Sequence, residues 1–243
     1  MITRIAVLAL LPLLAAAPES DGPVFSQPTQ ITNVWAPFVP GSVKVFRGRD
    51  EGVRTAKLWS SLTETRSFEW GGGSVECRVL QEQDFEDGAL VEFTLSWLAQ
   101  DDAGDVYVFG EVSWEVTDGT LGEAEGDSWL VGGATHPGDP PNVQDESDPH
   151  LRMGANPQIG DVYVLPAWPS GHETVTVLAK DRKVKVPAGK WETAMLVQEL
   201  DDGEDGSTEK SWIVPGIGMV KASSNHGRDE LLATSLVEAT VGP

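Results

Sequence analysis

Three of the four histidines in this 243-residue chain lie within or beside a proline-rich segment that covers residues 132–171. The side chains of this segment that could bind a transition metal through imidazole nitrogen and carboxylate oxygen are His136, Asp139, Asp148 and His150. Their spacing matches no recognised metal motif. We take these four residues as the candidate metal site, and the segment as a binding loop or covering flap, because irregular stretches this long are uncommon inside a compact domain.

The sequence lacks the common signatures of nucleophilic, nucleotide-dependent and zinc-dependent enzymes. It contains no Gly-x-Ser-x-Gly elbow, no Walker loop and no Cys-x-x-Cys pair, and His172-Glu173 is not followed by a second zinc-binding histidine. Acidic residues are so frequent that a carboxylate pair suited to glycoside hydrolysis would arise by chance. We therefore predict no catalytic residues and a non-enzymatic role. The alternative is a hydrolase or metal-dependent enzyme that uses the 132–171 segment.

A further acidic tract, residues 201–206, reads Asp-Asp-Gly-Glu-Asp-Gly and offers the hard oxygen ligands that calcium prefers. It lacks the spacing and the terminal glutamate of an EF-hand loop, so we interpret it as the solvated tip of a hairpin. The sequence thus predicts no cofactor, with calcium or a transition metal as the alternatives.

Nine tryptophans are distributed over the whole chain. A concave sheet lined by some of them could stack a sugar or hold an apolar ligand, although most tryptophans of a β-domain belong to its core and walls. The candidates for ligand contact are Trp168, which lies between prolines in the 132–171 segment, and Trp191 and Trp212, which lie near glycine-containing turns. We predict a binding or carrier module for an apolar or small ligand.

The elements that must position these residues are β-strands. Apolar and polar residues alternate in stretches such as 91–97 and 106–116, with turn signals between the stretches, and helical periodicity hardly appears. In the second stretch we expect Val108 and Val112 on one face and Glu111 on the other. The sequence predicts an all-β fold, either a single antiparallel curved sheet or a partly open β-barrel, with one long irregular loop.

Two proline–glycine tracts near the C-terminus mark the places where one predicted strand ends and the next begins. Pro-Ala-Gly at 187–189 combines a fixed φ with a permissive glycine and predicts a hairpin turn. Pro215 cannot donate a ladder hydrogen bond, and Gly216 and Gly218 permit a bulge or bend, so we expect the chain to kink there. Another backbone or an aromatic ring could pack against these glycines.

These tracts read VPAGKWET at 186–193 and WIVPGIGMVK at 212–221, and tracts 38–46, 95–101 and 105–111 precede them. Together they resemble a family of secreted bacterial β-proteins of unknown function over residues 31–237. The resemblance implies antiparallel curved sheets, distantly similar in shape to lipoprotein-carrier domains, and no catalytic residues. Family members usually have an aromatic residue where Ile213 stands, and many carry a lipidated cysteine that this chain lacks.

The N-terminus is typical of an exported protein. Arg4 precedes an apolar run over residues 5–14, and the alanines at 15–17 are the small residues that a signal peptidase needs. The run is shorter than the ~20 residues of a membrane span. We predict a signal peptide over 1–17, a flexible segment over 18–30 and one β-domain over 31–243, hence a secreted or periplasmic protein.

Acidic residues outnumber Lys and Arg by 38 to 17, a net charge of −21 that becomes −22 when the predicted leader takes Arg4 away. Such a surface repels nucleic acid and anionic membranes. The expected partner is therefore a small molecule or a lipid ligand, and the oligomeric state is left open. Cys77 is the single cysteine, which excludes an internal disulfide, and its alternation with Val75 and Val79 predicts a buried thiol.

Overall fold

The computed structural model describes residues 22–166, 172–201 and 208–236. Within these residues the chain is all β, with fifteen strands and no helix. The strands are β1 (Val43–Asp50), β2 (Val53–Trp70), β3 (Gly73–Glu86), β4 (Ala89–Gln100), β5 (Val106–Thr117), β6 (Thr120–Ala124), β7 (Trp129–Val131), β8 (Gln144–Glu146), β9 (His150–Met153), β10 (Val162–Pro166), β11 (His172–Val186), β12 (Gly189–Asp201), β13 (Thr208–Val214), β14 (Gly218–Ser224) and β15 (Gly227–Thr234).

All fifteen strands belong to one sheet, in the order β10-β11-β12-β13-β14-β15-β1-β2-β3-β4-β5-β7-β8, with β6 and β9 also paired to β5. The long strands pair antiparallel, and β7 and β8 pair parallel. The predicted curved sheet is confirmed. The sheet is open and does not close into a barrel, because the two ends of its strand order, β10 and β8, do not pair with each other in the described chain.

Tight hairpins join most neighbouring strands, as the turn signals predict. At Asp87-Gly88 and Asp118-Gly119 both residues have positive φ, 44° and 92° in the first turn and 52° and 72° in the second. Asp-Gly favours this conformation, and its twist matches that of the flanking strands. The pairing of β1 with β15 then joins the N-terminal hairpins to the C-terminal ones in one continuous sheet.

A β-bulge makes the predicted alternation of β5 wrong. Trp97 pairs with Gly110 and Leu98 pairs with Val108, so one extra residue of β5 lies between the two pairs. An extra residue exchanges the two faces of a strand beyond it. Val108 and Glu111 consequently share a face, whereas the sequence pattern placed them on opposite faces.

The C-terminal proline–glycine tracts form the predicted turn and bend. Pro187 and Ala188 separate β11 from β12. The second tract turns the chain between β13 and β14, with φ of 78° at Gly216 and 81° at Gly218, and the register shifts at Trp212/Ile213. Both predictions for these tracts are confirmed.

The 132–171 segment is more regular than predicted, since β8, β9 and β10 all lie in it. β9 pairs with the beginning of β5, where Val106 faces Met153 and Val108 faces His150. The amide side chain of Asn33 donates to the carbonyl oxygens of Gly104 and Gly154, both at 3.0 Å. These contacts attach the segment to the sheet.

The buried residues form three hydrophobic clusters along the sheet. The first contains Cys77, which is fully buried beside Val75 and Val79, as predicted. Desolvation raises the pKa of its thiol. Residues 22–30 fall in the predicted flexible segment and have no strand, but the Phe25 ring packs edge-on against Phe109 of this cluster at 5.4 Å between centroids.

Three predictions lie outside the described residues: the leader at 1–17, the ligand candidate Trp168, and positions 202–206 of the acidic tract.

Candidate functional site

One face of the sheet encloses a cavity whose walls change from apolar to charged in the same direction on strand after strand. On β3 the cavity-facing residues are Leu80, Glu82 and Asp84 in chain order, and alternate residues of a strand share a face. The neighbouring strands run antiparallel and carry the same change. The corresponding series are Leu98, Ser96, Thr94 and Glu92 on β4; Val106, Val108 and Glu111 on β5; Val197 and Glu199 on β12; and Ile213, Ser211 and Glu209 on β13.

The apolar part of the cavity has a volume of about 300 Å³. Its walls come from the second hydrophobic cluster, in which residues of β5, β11, β12 and β13 pack against residues that precede β1. The apolar side chains that face the space include Trp35, Phe38, Leu80, Met153, Val175 and Ile213. A pocket of this size and lining suits the hydrocarbon part of a small ligand.

The charged part has a volume of about 250 Å³ and shares Lys57, Trp59, Glu82, Glu111, Arg152 and Glu199 with the apolar part. The residues that line the charged part alone are all polar: Asp84, Glu92, Thr94, Ser113 and Glu173. Carboxylates from β3, β4, β5, β11 and β12 therefore face one another across a small space. Like charges this close raise one another's pKa.

Arg152 occupies the centre of this carboxylate group. It comes from β9, and its Nη1 atom lies 3.5 Å from Oε1 of Glu173. Desolvation works to lower the pKa of Arg152. Its interactions with four acids, Glu173, Glu199, Glu111 and Glu82, outweigh desolvation and raise this pKa. The side chain is 46% exposed despite the protein atoms around it, because it faces the cavity. The short strand β9 thus supplies a counter-charge for acids from four other strands.

Three of the acids around Arg152, namely Glu82, Glu111 and Glu173, hold protons more tightly than ordinary carboxylates. Burial raises the pKa of Glu82 to about 8, and the nearby Glu111 raises it further, against the effects of Arg152 and Lys57. Desolvation likewise raises the pKa of Glu111 and of Glu173, where Glu199 adds to the shift. Protonated carboxyls at neutral pH can donate hydrogen bonds as well as accept them.

Two lysines face the cavity in different settings. Lys57 Nζ lies 2.8 Å from Asp84 and 3.8 Å from Asp229, and these acids raise its pKa although burial works to lower it. Lys44 is 9% exposed, and burial lowers its pKa to about 8, with Glu82 opposing the shift. Within the described chain Lys44 forms no ion pair, and its Nζ lies 5.7 Å from the centroid of the Trp59 ring.

The side chains of the four residues of the candidate metal site do not gather around one point in the described part of the chain. Asp139 accepts two hydrogen bonds from the Arg66 guanidinium, at 2.7 and 2.9 Å, and another at 2.7 Å from the backbone N–H of His136. Asp148 accepts from the indole N–H of Trp70 at 3.1 Å. His150 Nε2 lies 3.5 Å from Glu146. In residues 22–166, 172–201 and 208–236, no three His, Cys, Asp or Glu side chains gather in a way that could hold a metal ion.

The tryptophans that line the cavity are Trp35 and Trp59. The candidates Trp191 and Trp212 instead pack against the third hydrophobic cluster. The Trp191 ring covers Gly189, where a Cβ would lie 2.8 Å from the ring. Lys221 Nζ lies 4.9 Å from the centroid of the Trp212 ring.

Sequence reasoning missed the residues that make the cavity distinctive, above all Lys44, Glu82 and Arg152. A signal was present, because the same-face positions of several strands pass from apolar to acidic. The signal is easily overlooked, because polar residues of an alternating strand are usually assumed to face the solvent. Arg152 carried no local signal, since its importance comes from the pairing of β9 with β5.

No family model and no curated protein matches the chain, so the family suggested by the sequence pattern stays a prediction. One similar solved structure is a Bacteroides fragilis protein assigned as exported, with a YmcC-like fold; it has 12% identity and a TM-score of 0.46, and the match covers 83% of this chain and 99% of that one. Another is a Parabacteroides distasonis protein assigned as a lipoprotein, with 13% identity, a TM-score of 0.33, and coverage of 83% and 98%. Among the described residues, no helix is long and apolar enough to cross a membrane.

Proposed function

We propose that the protein is a non-enzymatic binding module that holds a small amphiphilic molecule in the cavity of its sheet. The observation that carries this proposal is the change of the cavity wall from apolar to charged along successive strands. An apolar chamber of about 300 Å³ beside a polar one offers separate surroundings for a hydrocarbon part and a polar part. Binding sites for small molecules commonly combine apolar walls with a few polar groups in this way.

The proposed compartment is the periplasm or the exterior of the cell. The leader-like sequence at 1–17 supports export, and the two solved neighbours are themselves assigned as an exported protein and a lipoprotein. An enzyme that uses the 132–171 segment stays a prediction. The partners of Asp139, Asp148 and His150 in the structure lend it no specific support.

Binding of a neutral apolar fluorophore tests the proposal. N-phenylnaphthylamine fluoresces more strongly in apolar surroundings, and we expect saturable binding to the purified mature protein. Leu80→Trp places an indole in the apolar chamber and should weaken binding about tenfold, equivalent to about 1.4 kcal/mol. Leu232 is 40% exposed, so Leu232→Trp is the matched control and should bind as the wild type does.

Two results would contradict the proposal. One is a wild-type protein that binds the fluorophore only in proportion to its concentration, without saturation. The other is equal weakening by Leu80→Trp and Leu232→Trp, which would place the fluorophore on the outer surface. If binding is saturable and only Leu80→Trp weakens it, native mass spectrometry of protein purified from its own host would identify the ligand that the cavity carries.

A further inference from the structure

Lys44 differs from the other cations of the cavity because it forms no ion pair among the described residues, although Glu82 acts on its charge from a greater distance. Lys57 is bound to Asp84 at 2.8 Å and Arg152 lies 3.5 Å from Glu173. Lys44 is 9% exposed and faces the apolar part of the cavity. A buried ammonium group without a partner is costly, so its retention favours a partner that comes from outside the chain.

Two hydroxyl groups face the same part of the cavity beside Lys44. Ser42 and Ser61 are 7% and 9% exposed, and both line the apolar part. Val43 pairs with Ser60 and Lys44 with Trp59, which places Ser42 next to Ser61 and both on the face of Lys44. Within the described chain, the hydrogen bonds of the two serines are made by their backbones, so both hydroxyls can bind a ligand.

The bend before β14 leaves the space that the ammonium group occupies. A Cβ at Gly218 would lie 2.7 Å from Lys44 Nζ and 3.3 Å from Cδ of Pro37. The ammonium group of Lys44 can therefore lie where it does because residue 218 is a glycine. Three donors thus line one end of the apolar chamber, and one of them is positively charged.

We propose that the ligand of the cavity is an amphiphile with a carboxylate head group, which binds Lys44 Nζ and the hydroxyls of Ser42 and Ser61. This inference rests on the proposed function and names the class of ligand. One ammonium group matches the single charge of a carboxylate, and the two hydroxyls supply the further donors that its oxygens accept. The hydrocarbon chain of the ligand then packs against the apolar walls of the same chamber, which include Phe38 and Ile213.

Competition by three amphiphiles of equal chain length tests the inference. Decanoate, decanol and decylammonium, each below its micelle concentration, compete with N-phenylnaphthylamine for the wild-type protein. We expect decanoate to bind about tenfold more tightly than decanol, as a charge-assisted hydrogen bond adds to the shared apolar contact. Decylammonium should bind more weakly than decanol, because its head group would meet Lys44.

Variants locate the head group. Lys44→Met keeps the length and apolar stem of the side chain, and we expect it to remove the preference for decanoate while decanol still binds. The double variant Ser42→Ala/Ser61→Ala should reduce the preference about fivefold. Lys183 is exposed and paired with Glu192, so Lys183→Met is the matched control and should keep the wild-type preference. Circular dichroism verifies that each variant is folded.

Each outcome decides one question. The inference is overturned, and the proposed function survives, when decanol binds but decanoate binds no more tightly, or when decylammonium binds best. A preference for decanoate that Lys44→Met retains also overturns it. Failure of all three amphiphiles to compete contradicts the proposed function itself. The comparison of the three amphiphiles uses the wild-type protein alone. It can therefore still refute the inference if Lys44→Met does not fold.

Discussion

The partners of a side chain decide its chemistry in this protein more than its residue type does. Lys57 and Lys44 both face the cavity, yet Asp84 and Asp229 raise the pKa of Lys57 while desolvation lowers that of Lys44 to about 8. Glu82 faces the same cavity, and burial raises the pKa of its carboxyl to about 8. These residues are therefore the places where a single substitution should change pH dependence or ligand preference.

The raised pKa of Glu82 predicts a protein that loses stability as the pH increases. A glutamate carboxyl has an ordinary pKa of 4.5, and that of Glu82 is about 8 in the folded state. Between these values it binds more protons in the folded state than in the unfolded state, so the free energy of unfolding falls across this window. We expect the wild-type melting temperature to be higher at pH 5 than at pH 8, and Glu82→Gln to reduce the difference.

The control for this prediction lies on the same strand. Glu86 is exposed at the end of β3, and Glu86→Gln should keep the wild-type dependence of melting temperature on pH. Part of the dependence should persist in Glu82→Gln, because burial also raises the pKa of Glu111. A melting temperature that increases from pH 5 to pH 8 would contradict the raised pKa values of the carboxyls that face the cavity.

At the scale of elements, short irregular features build the cavity from otherwise regular strands. The bulge of β5 brings Glu111 onto the face of Val108. The four-residue strand β9 brings Arg152 to the acids of its neighbours. The bend at Gly216 and Gly218 leaves room for Lys44. Each feature thus determines where one charged side chain of the cavity lies.

The two glycines of the bend should differ in their tolerance of a side chain. Both have positive φ, 78° at Gly216 and 81° at Gly218, so an alanine at either position costs about 1–2 kcal/mol in backbone strain. A Cβ at Gly216 would meet nothing within 4 Å, whereas one at Gly218 would lie 2.7 Å from Lys44 Nζ. We expect Gly218→Ala to be the more destabilising variant by about 1 kcal/mol in urea unfolding. Equal losses would show that the contact with Lys44 has no energetic weight.

The ion pair between Arg66 and Asp139 should hold the beginning of the 132–171 segment on β2. The two side chains are 11% and 8% exposed, and the shorter of their two contacts is 2.7 Å. Removal of one partner of a buried pair leaves the other charge uncompensated, so Asp139→Asn should cost about 3 kcal/mol of unfolding free energy. The measurement is equilibrium unfolding in urea.

Asp148→Asn is the comparison, since Asp148 is exposed to solvent and accepts hydrogen bonds only from the Trp70 indole and the Ser147 hydroxyl among the described residues. We expect it to cost under about 1 kcal/mol. For each of the three proteins, a chelator should leave the free energy of unfolding unchanged. A loss of wild-type stability in the chelator would instead favour the metal site suggested by the sequence.

The charge of the whole molecule should make its stability dependent on salt. The chain carries a net charge of −21, and the cavity gathers several acids around few cations. Repulsion among like charges disfavours the compact state, and salt screens it over a distance of about 10 Å at 0.1 M. We expect the melting temperature at pH 8 to rise when sodium chloride increases from about 0.01 M to about 0.5 M. A decrease would indicate that ion pairs such as Lys57 with Asp84 outweigh the repulsion.

The class of fold could be predicted from the sequence because its signals are local. Alternation with period two, Asp-Gly turns and the Pro-Ala-Gly tract act over a few residues, and they predict strands, hairpins and a buried Cys77 without knowledge of distant contacts. The same reasoning was wrong for β5, since a bulge depends on the partner strand and is not visible in the alternation itself.

The candidate site could not be predicted because its residues meet only through long-range pairing. Lys44 and Gly218 are far apart in the chain and come together because β1 pairs with β15 next to β14. Arg152 reaches Glu82, Glu173 and Glu199 because β9 crosses to β5. The sequence by itself determined an acidic chain of hairpin-forming strands, since each strand and turn depends on neighbours in the chain. Only the tertiary structure decided that the strands enclose a cavity and that one of its lysines forms no ion pair in the described residues, because burial and charge pairing depend on which strands lie side by side.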